Sequence, residues 1–233
     1  MKHLYSLLLF CFVLCTHTSQ AQWQWYHPKP HGNATQATDF YDSNHARSIG
    51  KQYSETYTNG SWTINSACDT NLAITYVGLD LVDSVDGWAI ESQGKIYHAD
   101  SAGWHLYADA HNTLTDLFMV DKNHGWIVGD SGYVYQYDGV SWSLQPNSSG
   151  KKLWGVFFLN DSTGWITGEN GTIMQYRSGT WSTVNTGIPV AVAMYGLFAI
   201  DTLNIWVSVS NGNLLHCNNG VWSQVSGPWV NSP

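Results

Sequence analysis

The chain has 233 residues, a formal charge of −8, only 11% charged side chains, and 22 glycines with 13 tryptophans and 13 tyrosines. This aromatic, turn-rich composition excludes a helix bundle. Arginine occurs only at Arg47 and Arg177, so no basic surface exists to neutralise phosphates, which excludes nucleic acid and anionic membranes as partners.

Residues 1–21 have the pattern of a secretory signal peptide. Lys2 and His3 precede an apolar run from Leu4 to Cys15, and Ser19-Gln-Ala21 places small residues around a cleavage position. The apolar run is shorter than the about 20 residues that span a bilayer. Phe10 and Leu14, before Cys11 and Cys15, lack the small side chain that lipid anchoring requires. The mature chain is expected to be secreted, extracellular or periplasmic, with net charge −9 once Lys2 is removed and no transmembrane segment. Cys68 and Cys217 remain, and spacing alone leaves their pairing open.

Residues 22–34 are expected to form an N-terminal strand and linker. Beyond them one period organises the chain. Residues 114–145, LTDLFMVDKNHGWIVGDSGYVYQYDGVSWSLQ, align throughout with 153–184, and the same frame fits 35–65, 76–107 and 194–225. Two tryptophan series set the register. Trp88, Trp126, Trp165 and Trp206 form the first, with Arg47 at the matching place of the first unit; Trp62, Trp104, Trp142, Trp181 and Trp222 form the second. Four residues before the Gly-Trp pair, or its equivalent, each unit has an Asp or Asn: Asp42, Asp83, Asp121, Asn160 and Asp201. These are turn signals.

Each unit divides into four short strand-like runs; in the third they are Leu114–Val120, Trp126–Val128, Tyr133–Tyr137 and Trp142–Leu144. Four antiparallel strands in about 40 residues, repeated, predict an all-β fold, a β-propeller of five four-stranded units over 35–228 with a tail at 229–233. The nine tryptophans of the two series are expected to pack between units. Trp23-Gln-Trp-Tyr-His-Pro aligns with Trp142-Ser-Leu-Gln-Pro, a fourth strand without its own first three. The fifth unit already has its fourth strand, so the units are expected to be either a five-bladed ring with a surplus strand or part of a larger ring.

With Asp-x-x-x-Gly-Trp-x-x-Gly and Gly-x-(Ser/Thr)-Trp in view, the chain resembles secreted bacterial propellers related to photosystem II assembly-factor repeats and to BNR, or Asp-box, repeats. The opening WQWYHPKPHGN is similar to the start of such proteins from Bacteroidetes-type bacteria. The resemblance covers about residues 23–225 and implies the propeller fold. The Asp-box itself is degenerate: Tyr135 and Tyr137 stand at its first positions before Trp142. The arginine-rich patch that the assembly factors use, and the three arginines that Asp-box sialidases use, exceed what two arginines supply.

No catalytic set emerges. Glu55, Glu91 and Glu169 are the only glutamates, most aspartates belong to turns, and the histidines lack ligand spacing, so neither a metal nor a cofactor is expected. The first run of each unit is more informative. Its fifth position before the turn Asp or Asn holds Ala37, Gly78, Gly155 and Gly196, small residues suited to close approach at a propeller axis, with Asp116 as the exception in the third unit. Two residues later come Asp39, Asp80, Phe118, Phe157 and Phe198, and one residue before lie Trp154 and Tyr195. Asp39, Asp80, Asp116, Trp154 and Tyr195 are therefore the candidate binding residues, for a cation, a polar ligand or a stacked sugar. The function expected is a secreted, non-catalytic binding or assembly module for an unknown protein or glycan, with a carbohydrate-binding or carbohydrate-active role as the alternative.

Overall fold

The computed structural model describes residues 35–51, 53–66, 74–146, 149–188 and 192–226. The leader, the segment 22–34, Cys68 and the tail at 229–233 lie outside the described residues.

Five four-stranded antiparallel sheets follow one another along the chain. The first blade holds β1 (Thr35–Phe40), β2 (His45–Gly50), β3 (Tyr53–Thr58) and β4 (Ser61–Ser66). The second holds β5 (Tyr76–Leu81), β6 (Gly87–Glu91), β7 (Lys95–Asp100) and β8 (Gly103–Asp109). The third holds β9 (Leu114–Asp121), β10 (His124–Gly129), β11 (Val134–Tyr137) and β12 (Trp142–Leu144). The fourth holds β13 (Leu153–Asn160), β14 (Thr163–Gly168), β15 (Ile173–Arg177) and β16 (Thr180–Thr183). The fifth holds β17 (Met194–Asp201), β18 (Asn204–Val209), β19 (Leu214–Asn218) and β20 (Val221–Val225).

The repeated turn acids explain why each first hairpin is so tight. Asp42 Oδ1 accepts the Asn44 and His45 N–H groups at 2.6 and 2.8 Å, and Asp121 Oδ1 accepts those of Asn123 and His124 at 2.7 and 2.9 Å. Asp83, Asn160 and Asp201 cap their turns in the same way. A side chain that mimics the backbone acceptor lets both strands run right up to the turn. Accordingly β9 and β10 reach Asp121 and His124, a little beyond the runs visible in the sequence.

Packing between blades is a knob entering a socket. Trp88, Trp126 and Trp165 are each 1% exposed and point from the second strand of one blade into the next. The Trp126 ring stacks on Phe158 at 4.9 Å and meets Tyr176 and Trp181 edge-on at 4.7 and 5.4 Å. Trp88 meets Tyr137 and Trp142 at 4.8 and 5.4 Å. Burying such a ring removes about 150–250 Å² from water, worth about 4–6 kcal/mol as an upper limit. The second tryptophan series, Trp62, Trp104, Trp142, Trp181 and Trp222, is half-buried, and its last four members line the sockets that take Arg47, Trp88, Trp126 and Trp165. Trp206 is also half-buried, although it belongs to the first series.

The socket explains the glycine of each Gly-Trp pair. A Cβ on Gly164 would collide with the Phe158 ring, and one on Gly125 with the Met119 thioether. Only a residue without a side chain lets the socket residue of the first strand lie flat across the second.

The first strands β1, β5, β9, β13 and β17 pack in succession, each against the next. Among the described residues no comparable packing joins β17 to β1.

Candidate functional site

The first strand of each blade is its inner edge. Strand edges leave N–H and C=O groups that need partners from elsewhere, and the preceding blade supplies them. Gln36 Oε1 accepts the Tyr76 N–H at 2.9 Å, Asp39 Oδ2 that of Leu81 at 2.8 Å, and Asp80 Oδ2 that of Met119 at 2.6 Å. Asp116 Oδ2 accepts the Val156 N–H at 2.9 Å and Oδ1 its own neighbour's, Leu117, at 3.0 Å. Two hydroxyls serve the carbonyls: Thr115 Oγ1 donates to Leu153 O and Thr167 Oγ1 to Tyr195 O, both at 2.7 Å. Close approach is needed for these bridges; a Cβ on Gly155 would strike the Tyr195 carbonyl.

Asp39, Asp80 and Asp116 thus sit in consecutive blades, each fastening the next inner strand. Asp116 acts two residues out of step with the other two, because it occupies the small position rather than the one that Asp39 and Asp80 hold. The three acids also feel one another. Burial pushes the Asp80 carboxyl up to about 7; the Met119 N–H opposes this, while the negative charges of Asp39 and Asp116 and a carboxyl hydrogen bond with Asp39 add to it. Burial pushes Asp116 up to about 6 against the stabilising N–H groups of Val156 and Leu117. Such an arrangement can hold a proton near neutral pH and anchor backbone. Among the described residues no group of three His, Cys, Asp or Glu side chains is placed to hold a metal ion.

Along the same line the later blades are apolar. Phe118 and Phe157 lie 5.1 Å apart and Phe157 and Phe198 5.3 Å apart, a ladder of rings where the first two blades have acids.

Trp154 and Tyr195 come together in the fourth and fifth blades, edge to face at 5.5 Å and 74°. Trp154 is half-buried and Tyr195 is 45% exposed. Lys152 places its Nζ 4.2 Å from the centre of the Trp154 ring and 3.9 Å from Asp130 Oδ2. This corner carries an ammonium, an indole and a phenol, none of them part of a knob or socket. Sequence reasoning did not single out Lys152, nor the bridging Gln36, Thr115 and Thr167. Gln36, Thr115, Trp154 and Tyr195 share one column of the repeat, so the column was visible, while its habit of reaching into the next blade was not. The histidines spread over separate segments also behave unlike their spacing: His98 and His105 are cross-strand neighbours with ring centres 5.3 Å apart, and His98 Nε2 lies 2.8 Å from Asp86.

No protein-family model and no curated protein matches the sequence. Solved structures do. YCF48 from Cyanidioschyzon merolae is similar over 82% of this chain and 71% of its own, with 16% identity and a TM-score of 0.65. The computationally designed Ika8 protein is similar over 80% of this chain and 58% of its own, with 14% identity and a TM-score of 0.64. YCF48 bound to a D1 peptide is similar over 86% and 83%, with 13% identity and a TM-score of 0.48. At these identities the likeness lies in the fold, and in that respect the chain is a β-propeller like the photosystem II assembly factor YCF48.

Proposed function

We propose that this chain is a secreted, non-catalytic propeller that binds a protein partner through the corner formed by Lys152, Trp154 and Tyr195. The observation that carries this reading is the Trp154–Tyr195 pair itself: two large rings in neighbouring blades, outside every interblade socket, with a lysine alongside. Trp and Tyr are among the residue types that dominate protein contacts. The inner carboxylates, which a hydrolase would need as free acid and base, are committed to backbone N–H groups in the next blade. A fold shared with an assembly factor supports a binding or assembly role. The lysine over the indole face disfavours a sugar stacked there.

Capture from the exported proteins of the source organism tests the reading. The immobilised wild-type chain should retain a partner, and the double variant Trp154→Ala, Tyr195→Ala should hold it about tenfold more weakly or worse. Equal retention by the double variant would refute this site. Glycan-array binding abolished by Trp154→Ala would assign a carbohydrate ligand instead.

A further inference from the structure

Two of the joints open outward into equivalent clefts of unlike chemistry. Between the third and fourth blades a cavity of about 500 Å³ is lined by Gln145, Pro146, Met174, Tyr176 and Trp181. Between the first and second, a cavity of about 340 Å³ is lined by Arg47, Thr56, Asn65, Asp100 and Trp104. Asn65 holds the place of Gln145 in the repeat and Trp104 that of Trp181, so the clefts share a frame and differ in what fills it. A thioether and a phenol ring line the one; a guanidinium, a hydroxyl and a carboxylate line the other. The cavity between the first two blades falls within the ~300–1,000 Å³ of small-molecule sites.

We propose that the cleft between the first and second blades binds a neutral saccharide of one or two rings. Its polar groups are held in place before any ligand arrives. Arg47 is buried, with its guanidinium donating to the Val85 carbonyl at 2.7 Å and lying over Trp104. Asn65 Nδ2 donates to Thr56 Oγ1 at 3.0 Å, which leaves the Thr56 hydroxyl hydrogen and the Asn65 amide oxygen for a ligand. Asp100 Oδ1 accepts the Ala102 N–H at 2.7 Å, while its other oxygen stands 3.9 Å from His105 Nδ1, beyond hydrogen-bond reach. Fixed donors and acceptors around one indole suit a sugar, whose hydroxyls both give and take hydrogen bonds and whose C–H groups need an apolar wall. Charge favours a neutral ligand. A carboxylate would meet Asp100 in the wall, and the Arg47 charge already acts on the nearby Asp83 carboxylate, which the Asp86 and Val85 N–H groups hold first. An apolar ligand would strip water from these groups without replacing its hydrogen bonds. The proposal uses neither Trp154 nor Lys152, so it stands or falls separately from the partner site above.

Titration of the isotope-labelled full chain with glucose, galactose, mannose, N-acetylglucosamine, lactose and cellobiose, followed by amide NMR, reads the site directly. At least one sugar should bind saturably with a Kd on the order of a millimolar, shifting the amides of Asn65 and of Ser101 to Trp104. Asn65→Ala and Asp100→Ala should each weaken that binding about tenfold or more. Both should keep the wild-type amide dispersion. Gln145→Ala, the matching change in the other cleft, should leave the binding unchanged. No saturable binding by any of these sugars overturns the proposal, as does binding indifferent to both Asn65→Ala and Asp100→Ala. Glucuronate held more tightly than glucose would likewise overturn it, because the cleft would then be an anion site built on Arg47.

Discussion

The joint between the third and fourth blades and the joint between the first and second use one position for two different chemistries. In the former, Trp126 fills a socket of Phe158, Tyr176 and Trp181. In the latter, Arg47 holds the same place, 6% exposed, with its guanidinium 5.7 Å over Trp104 and Nη2 donating to Val85 O at 2.7 Å. The second blade has Ala99 where the fourth has Tyr176, and Leu81 where the fourth has Phe158. A smaller socket leaves room for a long stem and a polar head that reaches through to a backbone carbonyl. The position of the joint is therefore dictated by the repeat, while its filling depends on what faces it.

The largest way to break this comparison is Trp126→Ala. Removing a fully buried indole from an aromatic socket should cost about 3–5 kcal/mol. Urea denaturation followed by circular dichroism measures it, and a loss near zero would mean that the ring is not what joins the blades.

Arg47→Ala should cost less, about 1–3 kcal/mol, because one carbonyl bond and a stacked stem are lost rather than an aromatic core. The same titration ranks the two variants. If Arg47→Ala proved the more damaging, the first joint would be held by its guanidinium and not by packing around it.

These differences show what was legible beforehand. The period, the turn acids and the tryptophan columns are local repeats, so they gave the blades and the joint positions directly. Arg47 could be placed in its column but its role could not be read, because that depends on Ala99 and Val85 in another unit. The inner acids were harder still. Asp39, Asp80 and Asp116 stood out as a departure from a glycine and phenylalanine pattern, and a departure looks the same in sequence whether it faces a ligand or a neighbouring N–H. Only the interblade distance makes Asp80 a bridge to Met119. Lys152 escaped notice because its partners, the Trp154 ring and Asp130, meet it only in the folded chain.

The acidic arc and the phenylalanine ladder form a second contrast, and pH separates them. An unfolded Asp80 titrates near 3.8 and the folded one near 7. Between those values the folded state keeps a proton that the unfolded chain has released, so stability falls as pH rises through this window. Asp116 adds to the fall up to about pH 6. The turn acids Asp42, Asp83, Asp121 and Asp138, whose values are lowered by hydrogen bonds, act oppositely but below 3.8, outside that window. Asp80→Asn keeps an oxygen for the Met119 N–H and carries no charge. It should raise the melting temperature at pH 8 by roughly 4–8 °C, for ~2 kcal/mol of relieved burial and repulsion, and flatten the slope between pH 4 and 7. A wild-type melting temperature that climbs from pH 5 to 7, or an unchanged slope in the variant, would show that the carboxyl stays ionised in its bridge.

The smallest expected effect belongs to Trp154→Ala, and it sharpens the line between joint and site. Trp154 is as large as Trp126, yet it is half-buried and meets one ring, that of Tyr195, rather than a three-sided socket. Its removal forfeits an edge-to-face contact worth about 0.5–1.5 kcal/mol and a half-buried lysine–indole contact of about 0.5–1 kcal/mol. Neighbouring groups regain water in return, so the net loss should be near 1 kcal/mol. The bridge that fastens these two blades, from Thr167 Oγ1 to the Tyr195 carbonyl, is untouched. Denaturation alongside Trp126→Ala is the measurement. A loss of equal size would make Trp154 one more packing residue between blades and remove the ground for placing a partner there, whereas a small loss accompanied by weakened partner capture separates the two kinds of tryptophan by function.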